Sequence, residues 1–107
     1  MGFTRPSDLL RFRLKHGTTD VSDTLLEMID EMGPIQITQF VLRCATDKVT
    51  SINTASKHLR TLQHNGMIES FSDDIDQRVR IVRITAKGRA YLKDWYDGVV
   101  EEQGAEQ

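Results

Sequence analysis

Between Lys48 and Gly66 the chain carries no acidic side chain. A helix laid over Ser51 to Asn65 at about 100 degrees per residue sorts this stretch into two faces. Ile52, Ala55, Leu59 and Leu62 fall on one; Thr50, Asn53, Thr54, Lys57, Arg60, Thr61 and His64 fall on the other. Every member of the second set can hydrogen bond. Asn and Arg match adenine and guanine edges bidentately, and Thr or Ser reaches phosphates or the thymine methyl. Acids are common on ordinary exposed helix faces, where they support i,i+4 pairs, but phosphates repel them. The chemistry suits a helix read into the major groove of double-stranded DNA, with a plainly solvated face as the alternative.

Other chemistry has less to stand on. His16, His58 and His64 are scattered, and His58 and His64, six apart in one helix, lie on different faces, unlike metal ligands at i,i+4. Cys44 is the single cysteine, so it has no disulfide partner within the chain and no second thiolate for a metal cage; packing is its expected role, a redox sensor the alternative. There is no glycine-rich phosphate loop and no motif around a Ser or Cys nucleophile. No catalytic residue, metal site or cofactor is assigned, and an enzyme is not expected.

The formal net charge of −2 conceals an uneven spread. Residues 18–47 hold one base and six acids, residues 48–93 nine bases and four acids, and residues 94–107 five acids and no base. A positive segment between two negative ones suits a protein with one phosphate-facing surface, and also fits a solvated mixed-charge surface. No apolar run approaches the roughly 18 to 20 residues a membrane span needs, and the first residues lack the apolar stretch of a secretory signal. A soluble cytoplasmic chain with no membrane partner is the expectation.

The elements that must position this helix can be read in order. The 107 residues suit a single domain, 1–107, with its core over about 20–96. Ser7 and Asp8 can cap a peripheral helix from Leu9 to His16, stopped by Gly17. Asp20 or Ser22 opens a second, with Leu25, Leu26, Ile29 and Met32 at helical spacing before Gly33-Pro34. Ile35 to Ile37 is a short extended stretch, and Thr38 caps a third helix carrying Phe40, Val41, Leu42 and Ala45. Residues 46–50 are a turn, and Gly66 ends the fourth helix. Met67–Phe71 and Arg78–Ile84, joined by a polar reversal, form a hairpin over 67–84. Thr85 caps a last helix over 85–100, and 101–107 is a frayed tail. The fold class is mainly α with a small β-hairpin wing, α+β: a winged helix-turn-helix.

These pieces resemble the winged-helix transcription regulators of the multiple-antibiotic-resistance-regulator (MarR) family over about residues 20–96. Gly33-Pro34-Ile35 leads into the third helix; SINTASKHLRTLQHNGMIE resembles the family's serine-rich recognition helix and its Gly-apolar-apolar exit; Asp76-Gln77-Arg78 and Ile84-Thr85-Ala86-Lys87-Gly88 follow at the family's spacing. The resemblance implies that Arg78 is the wing arginine that enters the minor groove, where negative potential is enhanced, and that Asp76 holds its guanidinium. A local salt bridge stiffening the hairpin is the other reading of that pair. Asp73 and Asp74 put two negative charges near the wing tip, which phosphates would repel, so that either the wing lies shallowly or both acids turn away from the duplex.

The DNA-binding set is then Thr38, Thr50, Ser51, Asn53, Thr54, Lys57, Arg60, Thr61, Arg78 and Arg80, with Asp76 orienting the wing. Relative to the family, the first helix is short and one C-terminal helix stands where longer flanks are usual. Leu10, Leu14, Tyr91, Leu92, Trp95, Tyr96 and Val99 are more apolar surface than terminal helices need; core packing is expected to use about half of it, and a two-fold homodimer pairing these helices is the expected use of the rest. The leading function is a sequence-specific regulator of transcription, a repressor occupying an operator. A phage or plasmid origin or partition protein is a second reading. A winged-helix module for a basic protein partner, suited to the acidic second helix and tail, is a third.

Overall fold

The computed structural model describes the backbone of residues 6–105 and the side chains of residues 7–98. The order of elements is α1 (Pro6–His16), α2 (Asp20–Met32), β1 (Ile35–Gln36), α3 (Ile37–Thr46), α4 (Ile52–His64), β2 (Ile68–Ser72), β3 (Arg80–Ile84) and α5 (Ala86–Ala105). The helices α2, α3 and α4 enclose a core of Leu25, Leu26, Ile29, Phe40, Val41, Cys44, Ala55, Leu59 and Leu62, closed below by Met67, Ile68, Val82 and Ile84 of the sheet and by Tyr91 and Leu92 of α5. Burial pushes the Cys44 thiol up from its ordinary value, so it packs as a neutral group.

Helix boundaries depart from the expected ones for identifiable reasons. α1 starts at Pro6, whose missing N–H costs nothing in a first turn, and Ser7 and Asp8 lie inside it. The cap of α2 is Thr19, neither Asp20 nor Ser22: its hydroxyl accepts from Ser22 N while Ser22 Oγ accepts from Thr19 N, a reciprocal box that leaves Asp20 in the first turn. Thr38 does not cap α3. That helix begins at Ile37, with Gln36 extended at its N-cap and no side-chain cap, because Gln36 is already held as a strand residue. α5 runs past residue 100 to Ala105, over Glu and Gln residues that are good helix formers; residues 106–107 lie outside the described residues.

The sheet that carries the wing hairpin has a third strand. Ile35 pairs with Val82 and Gln36 with Ile81, so the order is β1-β3-β2, antiparallel throughout. The connection between α4 and the wing is fixed at one corner. Asn65 Nδ2 donates to the carbonyls of His16 and Gly17, Lys87 Nζ donates to Asn65 O at 2.7 Å, and Thr85 Oγ1 donates to Gly66 O at 2.6 Å. Lys87 therefore places a cation on the negative end of α4. Gly88 sits where a Cβ would lie 2.2 Å from Met67 O, which is what lets α5 start directly against the wing.

A buried polar cluster docks α1. Tyr91 OH donates to Asp23 Oδ1 at 2.5 Å and lies 2.7 Å from Thr18 Oγ1, while Arg13 Nε donates to Asp23 Oδ2 at 2.7 Å and its Nη1 pairs with Asp20. Phe12 stacks on Tyr91 with centroids 5.1 Å apart, and burial among these rings lowers the His16 imidazole below its ordinary value. Tyr91 and Leu92, expected at a dimer interface, are buried in the chain's own core at 2% and 4% exposure, which corrects that assignment. Trp95 is half-buried against the same core. Leu10, Leu14 and Tyr96 remain exposed, and the side chain of Val99 lies outside the described residues.

Candidate nucleic-acid interface

The site starts with the turn between α3 and α4. Lys48 takes a left-handed conformation at φ 57°, which lets Val49 N return to Cys44 O at 2.9 Å and aims α4 across α3. Ser51 then caps α4, its Oγ accepting from Thr54 N at 3.2 Å and donating to Thr54 Oγ1 at 2.9 Å. The buried stripe Ala55, Leu59 and Leu62 turns the opposite face outward. Ser51, Asn53, Lys57, Arg60 and Thr61 are exposed; Thr50 and Thr54 are half-buried. Thr61 Oγ1 donates back to Lys57 O at 3.3 Å, and neither Lys57 nor Arg60 has an ion-pair partner among the described residues. Ile52 is also exposed, at the outer edge of the apolar stripe expected for this helix. Thr38, in the first turn of α3, is exposed.

On the wing, Arg78 Nε donates to Asp76 Oδ1 at 3.1 Å and its Nη2 to Asp76 Oδ2 at 3.2 Å, a two-pronged clasp. The Arg78 bonds hold the Asp76 carboxyl below the usual carboxylate range. The clasped guanidinium stays 91% exposed, so it is oriented yet open to a ligand. The two acids near the tip differ. Asp73 Oδ2 accepts the backbone N–H groups of Ile75 and Asp76, which turns its carboxylate into the loop, whereas Asp74 is exposed. Arg80 sits on the wing face that meets α4, through residues the sequence reading passed over: Ser70 Oγ accepts from Gln63 Nε2 of α4 and from Arg80 Nη2. The period-two alternation of Ser70 and Ser72 opposite Arg80 is the signal that could have found them.

The outcome is one surface made by the exposed face of α4 and the adjoining arginine-bearing wing, with Asp76 clasped to Arg78 and Asp74 exposed near the wing tip. Among solved structures the chain is similar to MarR, at 25% identity over 87% of this chain and 64% of that one, with a TM-score of 0.69. It is similar also to a mutant MarR from E. coli complexed with operator DNA (17% identity, 90% of this chain and 66% of that one, TM-score 0.71) and to S. aureus MepR in a DNA complex (18%, 91% and 77%, TM-score 0.72). This is the winged-helix fold of the MarR regulators. No family model matches the sequence, and no curated protein does.

The winged helix spans a little under two thirds of the length of MarR. Within it α3 and α4 are the helix-turn-helix, α4 stands where the recognition helix is expected, and β2 and β3 are the wing. Among the described residues no group of His, Cys, Asp and Glu could hold a metal ion, and no helix is long and apolar enough to cross a membrane.

Proposed function

We propose that this winged helix is a sequence-specific, double-stranded DNA-binding regulator of transcription that acts without catalysis in the cytoplasm, a repressor that occupies its operator. The observation that carries the reading is the acid-free outward face of α4, with Lys57 and Arg60 unpaired, beside the clasped but exposed Arg78. Asn53, Thr54, Lys57 and Arg60 reach base edges, while Thr38, Thr50, Ser51 and Thr61 hold the helix on the backbone. Arg78 enters the minor groove with Asp76 setting its plane.

The likeness to two regulators solved with DNA supports the same reading. A homodimer pairing exposed Leu10, Leu14 and Tyr96 would set two recognition helices about 34 Å apart, one turn of DNA. The test is selection from a random duplex library, with bound fragments sequenced. A two-fold symmetric consensus is the expected result; an unselected pool would overturn the specificity, and no retained DNA would overturn the function.

A further inference from the structure

Arg80 differs from its neighbour Arg83 in a way that bears on what it binds. Arg83 lies on the sheet face away from α4, paired with Glu69 and stacked 4.9 Å over the Phe71 ring. Arg80 lies on the opposite face, in register with Ser72 and two residues from Val82, which is buried against the helices. Its Nη1 donates to Ser72 Oγ at 3.0 Å and its Nη2 to Ser70 Oγ at 2.9 Å. Both anchors are neutral hydroxyls, so the guanidinium is held in place with its charge undiminished. Ser70 Oγ accepts a second bond, from Gln63 Nε2 at 3.2 Å, so the same hydroxyl ties the wing to the exposed side of α4.

A guanidinium has five N–H donors; two are engaged by the serines and three stay open. The engaged pair takes one donor from each terminal nitrogen, which encumbers the end-on fork, one of the geometries that grips guanine O6 and N7. A phosphate takes charge-assisted bonds from the remaining donors over a broad range of directions. We propose that Ser70 and Ser72 are positioning residues that present Arg80 as a fixed clamp for one DNA phosphate at the junction of α4 and the wing, with Gln63 locking the two elements together. This rests on the DNA-binding reading above. Helix and wing then engage the duplex as one rigid unit, and Arg80 contributes affinity that does not depend on base sequence.

The experiment measures binding across a salt series to two probes, the duplex recovered by selection and a short mixed-sequence duplex. Arg80→Ala should reduce the slope of log K against log salt by about 0.9 per copy of the chain. The Ser70→Ala/Ser72→Ala double variant keeps every charge and should weaken binding to both probes by the same factor, about two- to tenfold, the lower range for residues coupled in one network. Added to Arg80→Ala, the serine changes should cost clearly less than they do with Arg80 present, the remainder being the lost Gln63–Ser70 tie, while the urea midpoint stays nearly where it was. A serine effect of equal size with and without Arg80, an effect confined to the selected duplex, or no effect at all would overturn the proposal. Wild-type chain that retains neither duplex would overturn the DNA reading and this inference together.

Discussion

Two residues carry sharply signed consequences. Replacing a helical glycine by alanine ordinarily stabilises a helix by up to about 1 kcal/mol. At Gly88 the sign should invert, because the added Cβ would meet Met67 O at 2.2 Å and Ile84 Cγ1 at 2.7 Å, and the first of these is backbone. Gly88→Ala should cost about 2 to 3 kcal/mol in urea unfolding, in the range of overpacked cores; unchanged or raised stability would mean that α5 does not start against the wing. Asp76 acts on binding by two opposed routes. Its carboxylate repels phosphates generally, yet it holds the plane of Arg78. Asp76→Ala should therefore raise affinity for a mixed-sequence duplex and lower the ratio of selected to mixed binding, while Arg78→Ala lowers affinity for the selected duplex. An unchanged ratio in Asp76→Ala would reduce the clasp to a local stiffener of the hairpin.

At the scale of elements, two hydroxyls near helix starts separate stability from binding. Ser51 caps α4 through Thr54 N, so Ser51→Ala should lower stability by about 1 kcal/mol. Thr38 lies inside the first turn of α3 and caps nothing, so Thr38→Ala should leave the melting temperature nearly unchanged while weakening DNA binding. Melting scans beside binding curves read both, and a Thr38→Ala chain that melts early while binding normally would reverse the assignment. All five helices and the hairpin were legible in the sequence because each long element has a strong period: the α4 stripe repeats cleanly, and Gly17, Gly33 and Gly66, all at positive φ, mark the stops. What escaped was local competition. Thr18, Thr19, Asp20 and Ser22 are four eligible caps in five residues, and only the reciprocal bonding of Thr19 and Ser22 decides among them. A two-residue strand at Ile35–Gln36 has no periodicity to detect. Its pairing with β3 is a long-range fact, and it displaced the cap expected at Thr38.

At the scale of the whole molecule, apolar residues at both ends of the chain looked alike in sequence and divide in three dimensions. Periodicity alone cannot divide the α5 stripe between core and interface; the partners that bury Tyr91, namely Phe12, Thr18 and Asp23, come from distant parts of the sequence. Leu10 and Leu14 remain 57% and 70% exposed, one helical turn apart on α1. Leu10→Glu/Leu14→Glu should convert a dimer to monomers in sedimentation and flatten the binding curve to a single half-site, with stability of the folded chain little changed. Dimers of undiminished strength would move the interface elsewhere.

Whether the outward face of α4 holds the chain on DNA is decided by a salt series on the wild type and a Lys57→Ala/Arg60→Ala variant. The wild type should retain the selected duplex with affinity falling steeply as salt rises, and the variant should lose most of that affinity together with its preference over a mixed-sequence duplex. Equal retention by the two proteins at every salt concentration would contradict that role of α4.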